Sequence, residues 1–115
     1  MKAERGGAMS TFVKMYTDTV HSGMAADMGA ELFHTLAVIA SFANGDGRCF
    51  PSQQTLADRM GVTRETANRR IKRLLAYRWR GEPVISAEKV KGGSGWDRTG
   101  YVLHCNCGFG IFGHM

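Results

Sequence analysis

A chain of 115 residues, 43% hydrophobic and 22% charged, has the composition of one ordinary globular domain, not of a collagen-like, low-complexity or disulfide-stapled framework. It contains no apolar run of about 18 residues, so neither a membrane span nor a membrane partner is expected. The three cysteines, Cys49, Cys105 and Cys107, are an odd number, and the N-terminus lacks the apolar stretch of a signal peptide. Reduced thiols and a cytoplasmic location are the expectation.

The net charge of +5 is unevenly spread. Between Arg48 and Arg80 stand nine Lys/Arg and two acids, Asp58 and Glu65, whereas the rest of the chain carries six Lys/Arg and eight acids. All of the positive excess therefore lies in one segment. A localised basic patch concentrates a polyanion such as nucleic acid. A solvated basic helix would give the same count, so charge alone does not decide.

Taken in chain order, residues 1–11 are polar and Gly-bearing and read as a loose arm. Phe12, Val13, Met15 and Tyr16 form a short β-prone run, and 18–28 reads as a helix. Over 30–42, Leu32, Phe33, Leu36, Ile39 and Ala40 recur at helical spacing, with Ala43 just beyond. Asn44-Gly45-Asp46-Gly47 breaks that pattern. Ser52 then stands where a hydroxyl can cap a short helix whose apolar face is Leu56, Ala57 and Met60. Gly61 supplies a left-handed end, and Thr63 caps again. From Arg64 the helical pattern runs to about 77–79, with Ala67, Ile71, Leu74 and Leu75 inward; Gly81-Glu82-Pro83 ends it. The runs 84–90 and 101–105 are β-prone and form a hairpin around the Gly-rich loop 91–100. Residues 106–115 alternate glycine with Phe109, Ile111 and Phe112 and read as an apolar tail outside the 12–105 domain.

The unit 51–75 carries the function. Two capped helices joined by a glycine turn, with small Ala57 and Ala67 where the helices cross, make a helix-turn-helix pattern. Outside the apolar face of the second helix lie Arg64, Glu65, Asn68, Arg69, Lys72 and Arg73. Arg and Asn pair bidentately with guanine and adenine edges, and the N-terminal end, Thr63 and Arg64, enters the major groove first in this motif. Lys72, Arg73, Arg78 and Arg80 suit phosphates. The following hairpin makes the expected fold class mainly α with a small β-hairpin wing, a winged helix-turn-helix. Lys91 and Arg98 on the wing suit phosphate or the minor groove, while Trp96 either packs on sugar or folds onto the core.

The stretch 43–75, ANGDGRCFPSQQTLADRMGVTRETANRRIKRLL, resembles the winged-helix domain of replication and regulatory proteins of bacterial phages, plasmids and conjugative elements. The resemblance rests on Pro51, Ser52, Leu56, Ala57, Gly61, Val62, Thr63, Thr66, Ile71, Lys72 and Leu74. The opening FVKMYTD at 12–18 is similar as well, so it covers roughly 12–103. It implies a double-stranded DNA partner and a role as transcriptional regulator or replication or transfer accessory. Initiators of this type usually continue into a second domain, and a chain of 115 residues fits a small factor better. The alternative is a winged-helix module that binds a replication, conjugation or counter-defence protein. Such a module should expose apolar residues on the outer face of 63–73.

Other signals weigh less. Cys105-Asn106-Cys107, with His104 and His114, is too tightly spaced for the usual zinc knuckle, so no metal and no cofactor are expected. Cys49, His21 and His34 lack a catalytic signature, and Gly92-Gly93-Ser94-Gly95 lacks the Lys-Ser/Thr of a phosphate loop, so no enzyme is expected. A homodimer is expected, with contact through either the 12–16 run or the tail.

Overall fold

The computed structural model describes residues 11–91 and 97–113. Of the arm expected at 1–11, only Thr11 falls within them, as the first residue of a strand, while His114 and the loop tip with Trp96 lie outside.

Strand β1 (Thr11–Met15) leads into two short helices, α1 (Asp18–His21) and α2 (Met24–Met28), where one was expected. Helix α3 (Ala30–Ala40) buries Leu32, Leu36, Ile39 and Ala40 as its spacing predicts, and buries Thr35 too. Thr35 is tolerated there because its hydroxyl donates to the Glu31 carbonyl at 2.7 Å.

After the Asn44–Gly47 turn come strand β2 (Arg48–Cys49), α4 (Gln53–Met60) and α5 (Arg64–Ala76). Helix α5 stops a turn earlier than the pattern predicted. Tyr77 is already extended, and β3 (Arg78–Trp79) pairs with β4 (Glu82–Pro83) around Arg80-Gly81. Both turn residues have positive φ, 53° and 84°, the conformation a two-residue hairpin turn requires.

The 84–105 hairpin forms as β5 (Ile85–Lys91) and β6 (Asp97–Leu103), paired from Ile85↔Leu103 to Lys91↔Asp97. Its strands run further than expected, so the connection shortens to 92–96. Strand β2, which the sequence reading did not anticipate, joins the other edge of β6, giving the order β2-β6-β5.

The last segment is the largest correction. Residues 106–115 were expected as a tail beyond the domain. Instead a 3-10 turn (Cys105–Cys107) and strand β7 (Phe109–Gly113) bring them back, and β7 pairs antiparallel with β1 over its full length. Cys107 is fully buried in the same core as Met24, Leu36, Ile71 and Tyr101, and Phe33 meets Phe109 with ring centroids 5.7 Å apart. Over the described residues the fold is therefore mixed helix and strand, with three small antiparallel sheets, rather than mainly α.

One core joins these layers. Leu36 and Ile39 of α3 meet Leu56 of α4 and Ile71 and Leu74 of α5, with Val84, Ile85 and Tyr101 closing it from the sheet. Burying each large apolar side chain contributes about 1.5–3 kcal/mol. Tyr77 adds a polar tie, its hydroxyl donating to Asp27 at 2.8 Å. Burial and that carboxylate push the Tyr77 phenol above its ordinary range.

Candidate nucleic-acid interface

The α4–α5 pair is built by local chemistry. The Ser52 hydroxyl accepts the Thr55 N–H at 3.0 Å, and the Thr63 hydroxyl accepts the Thr66 N–H at 3.1 Å. Each cap satisfies an amide that the first turn leaves without a helical partner, worth about 1 kcal/mol. Gly61 ends α4 at φ 74°, where a side chain would be strained, and the Val62 N–H then reaches the Ala57 carbonyl at 3.1 Å. With Ala57 and Ala67 fully buried, the helices cross closely and Met60 and Ile71 fill the angle. This crossing points one face of α5 away from the core.

That face carries Arg64, Glu65, Asn68, Arg69, Lys72 and Arg73, all exposed. Glu65, Asn68, Arg69 and Lys72 line a shallow concavity. Arg64 to Lys72 spans about 12 Å along the axis, comparable with the width of a DNA major groove. Among the described residues, Arg64, Asn68, Arg69 and Lys72 have no hydrogen-bond or ion-pair partner. Among the described residues of α5, no large apolar side chain is exposed on this side.

The remaining candidates are placed differently. The Thr63 hydroxyl serves the helix cap and also donates to the Thr66 hydroxyl at 3.0 Å. Arg73 pairs with Glu31 at 3.1 Å. Arg78 turns back onto the end of α5, donating to the Leu75 and Tyr77 carbonyls at 3.1 Å each. This is a favourable place for a cation, since helix C-terminal carbonyls are left without amide partners. Arg80 stacks over Trp79, its guanidinium carbon 5.0 Å from the ring centroid. Arg98 donates to the Phe50 carbonyl at 2.8 Å. Lys91 closes β5, and its side chain lies outside the described residues.

So the structure gathers Arg64, Glu65, Asn68, Arg69 and Lys72 on one face, leaves Arg73 at its edge, and gives Thr63, Arg78, Arg80 and Arg98 partners elsewhere. Two residues escaped the sequence reading. Arg59, exposed in the last turn of α4, has no partner among the described residues. Phe50, 37% exposed, lays its ring against Gly100 just before α4. Arg59 was legible as part of the basic segment. Phe50 was not, because its seat depends on a strand 50 residues away.

The thiols sit apart from this face. Burial pushes the Cys49 thiol up to about 11 and raises Cys107 as well. Cys105 is exposed. Among the described residues no three His, Cys, Asp or Glu side chains cluster to hold a metal ion, and no helix is long and apolar enough to cross a membrane.

Residues 27–79 match the model of a family described as a helix-turn-helix domain. The match runs from the end of α2 through β3 and includes the whole α4–α5 pair and its outward face. The segment 27–79 is thus similar to a helix-turn-helix domain, in keeping with the geometry of α4 and α5. No curated protein and no solved structure matches it.

Proposed function

We propose that this protein binds double-stranded DNA as a winged helix, acting as a transcriptional regulator or a replication or transfer accessory factor of a mobile genetic element. The carrying observation is the outer face of α5: Arg64, Asn68, Arg69 and Lys72, exposed and without partners among the described residues, on the second helix of a helix-turn-helix. The order α3-β2-α4-α5-β3-β4-β5-β6, with β6 central in its sheet, supports the winged form, in which the β5–β6 hairpin is the wing that follows the helix pair and the short β3–β4 turn. The mobile-element setting rests on the resemblance of 43–75.

In this reading Arg64 and Arg69 pair with guanine edges, Asn68 with adenine, and Glu65 accepts from a cytosine amino group. Lys72 and Arg73 of α5 and Arg59 of α4 hold phosphates, whose contacts orient the protein without carrying sequence information. We also propose that it has no enzymatic role: burial raises the Cys49 and Cys107 thiols, the direction opposite to that of an activated nucleophile. We place it in the cytoplasm. We also propose a homodimer through the N-terminal segment, where Met15 and Tyr16 are 42% and 49% exposed, rather than through β7, whose Phe109 and Ile111 pack on the core.

Titrating labelled duplex at several salt concentrations tests the DNA reading. Each phosphate neutralised adds about −0.9 to the slope of log K against log salt, so about three give near −3 and about six, if the arginines held elsewhere are released, near −5. Asn68→Ala and Arg69→Ala should each lose about 1–3 kcal/mol of discrimination between sites, whereas Lys72→Ala should weaken all duplexes alike. No binding at low salt, or no salt dependence, would refute it.

A further inference from the structure

Glu31, in the first turn of α3, holds two arginines of α5 at once. One carboxylate oxygen lies 3.1 Å from Arg73 Nη1, the other 3.4 Å from Arg70 Nη2. The two halves of this fork differ in exposure. The Arg70 side chain is only 20% exposed and fastens α3 to α5, whereas Arg73 and Glu31 are both 55% exposed. Among the outward cations of α5, Arg64, Arg69, Lys72 and Arg73, only Arg73 has a carboxylate partner among the described residues.

We infer that Glu31 competes with the DNA backbone for Arg73, so that this arginine joins the interface only when a phosphate displaces the carboxylate; the inference rests on the DNA-binding reading above. Both states of the exchange are charge-assisted hydrogen bonds to an anionic oxygen. An exposed ion pair is weak, so a phosphate can replace it, and counterion release favours the replacement. Two effects follow. The bound complex loses one ion pair that the free protein keeps, and a carboxylate remains beside the phosphate track. Glu31 therefore lowers affinity for any duplex. It also makes the Arg73 contact conditional on close seating of α5, which penalises loosely docked complexes.

Glu31→Gln removes the charge, keeps the side-chain length, and leaves a carbonyl oxygen for Arg70. On a random 20-base-pair duplex, followed by anisotropy across salt, Glu31→Gln should bind about five-fold tighter than the unsubstituted chain. Its log–log salt slope should be steeper by about 0.9. In an Arg73→Ala background the same change should gain less than two-fold. Thermal melts of the four proteins establish that all are folded at the assay temperature, and Glu31→Ala, with no polar end, should repeat the gain. If Glu31→Gln binds no tighter, or gains equally without Arg73, the competition is refuted while the DNA reading stands. If the unsubstituted chain shows no salt-dependent binding, the DNA reading falls and takes this inference with it.

Discussion

Gly108 is the hinge on which the C-terminal segment turns back into the fold, and replacing it with alanine measures how far that segment is integral. Its φ is +93°, and a Cβ built there would lie 2.8 Å from Thr19 Cγ2 and 3.1 Å from Met24 Cε, and closer still to Thr19 Oγ1. Thr19 is 4% exposed and cannot swing away freely, because its hydroxyl donates to the Gly108 carbonyl at 3.0 Å. The Tyr16 N–H donates to the same carbonyl at 3.0 Å, so backbone movement would break two bonds. The left-handed conformation costs alanine about 1–2 kcal/mol and overpacking about 1–3 kcal/mol more. Taking the middle of both, Gly108→Ala should cost about 3.5 kcal/mol. With about 2.1 cal/mol/K of unfolding entropy per residue, a chain of 115 residues loses about 4 °C of Tm for each kcal/mol, so a fall of roughly 14 °C is expected by circular dichroism. Gly45→Ala is the control: a Cβ there meets nothing within 4 Å. Should Gly108→Ala melt within about 4 °C of the parent, the segment 105–113 would not be packed as described, and the β1–β7 ribbon would contribute little to stability.

Stability should also fall in alkali. Cys49 titrates near 11 when folded against an ordinary 9.0, and burial raises Tyr101 and Cys107 in the same direction, so the unfolded chain loses its protons first. The stabilisation is complete below about pH 8.5 and is lost as pH rises towards 11; Tm against pH should show this, with a shallower fall in Cys49→Ala. For assembly, sedimentation of the full chain should show a dimer that Met15→Lys with Tyr16→Lys converts to monomer. An unchanged dimer would move the contact away from the N-terminal segment. Truncation after Cys105, the simpler experiment, would remove buried Cys107 and the partner of β1, and so would report folding rather than assembly.

What the sequence made legible was local. The Ser52 and Thr63 caps and the Gly61 turn depend on neighbours within three or four residues, and the inward positions of α3, α4 and α5 follow from helical period alone. What it concealed depended on distant pairing. β2 is two residues long and exists because β6 offers it an edge, and β7 finds β1 nearly a hundred residues earlier. The β3–β4 turn was hidden because Arg80, not glycine or asparagine, occupies its first positive-φ position. For the site, period assigned each arginine to a face but not to a partner. Arg73 meets Glu31 from 42 residues away, and Arg98 meets the Phe50 carbonyl from 48.

Those partners give the salt titration a second use. The basic segment carries an excess of seven charges, yet its cations are not equally available. Arg48 is held by Glu88 at 3.0 Å, Arg70 and Arg73 share Glu31, and Arg78 is spent on helix carbonyls. Among the described residues, Arg59, Arg64, Arg69 and Lys72 at the helix pair have no partner. If Arg64 and Arg69 go to base edges, only about two or three phosphates are neutralised without disturbing an internal contact, and the slope should stay near −2 to −3. A slope near −5 requires that arginines now held by Glu31, by the Trp79 ring or by the Phe50 carbonyl let go on binding, or that Lys91 at the end of β5 contributes. The shallow slope describes a rigid face docking as it stands. The steep one describes a face whose edge is completed by the DNA itself, and the Glu31→Gln and Arg73→Ala cycle identifies which arginine accounts for the difference.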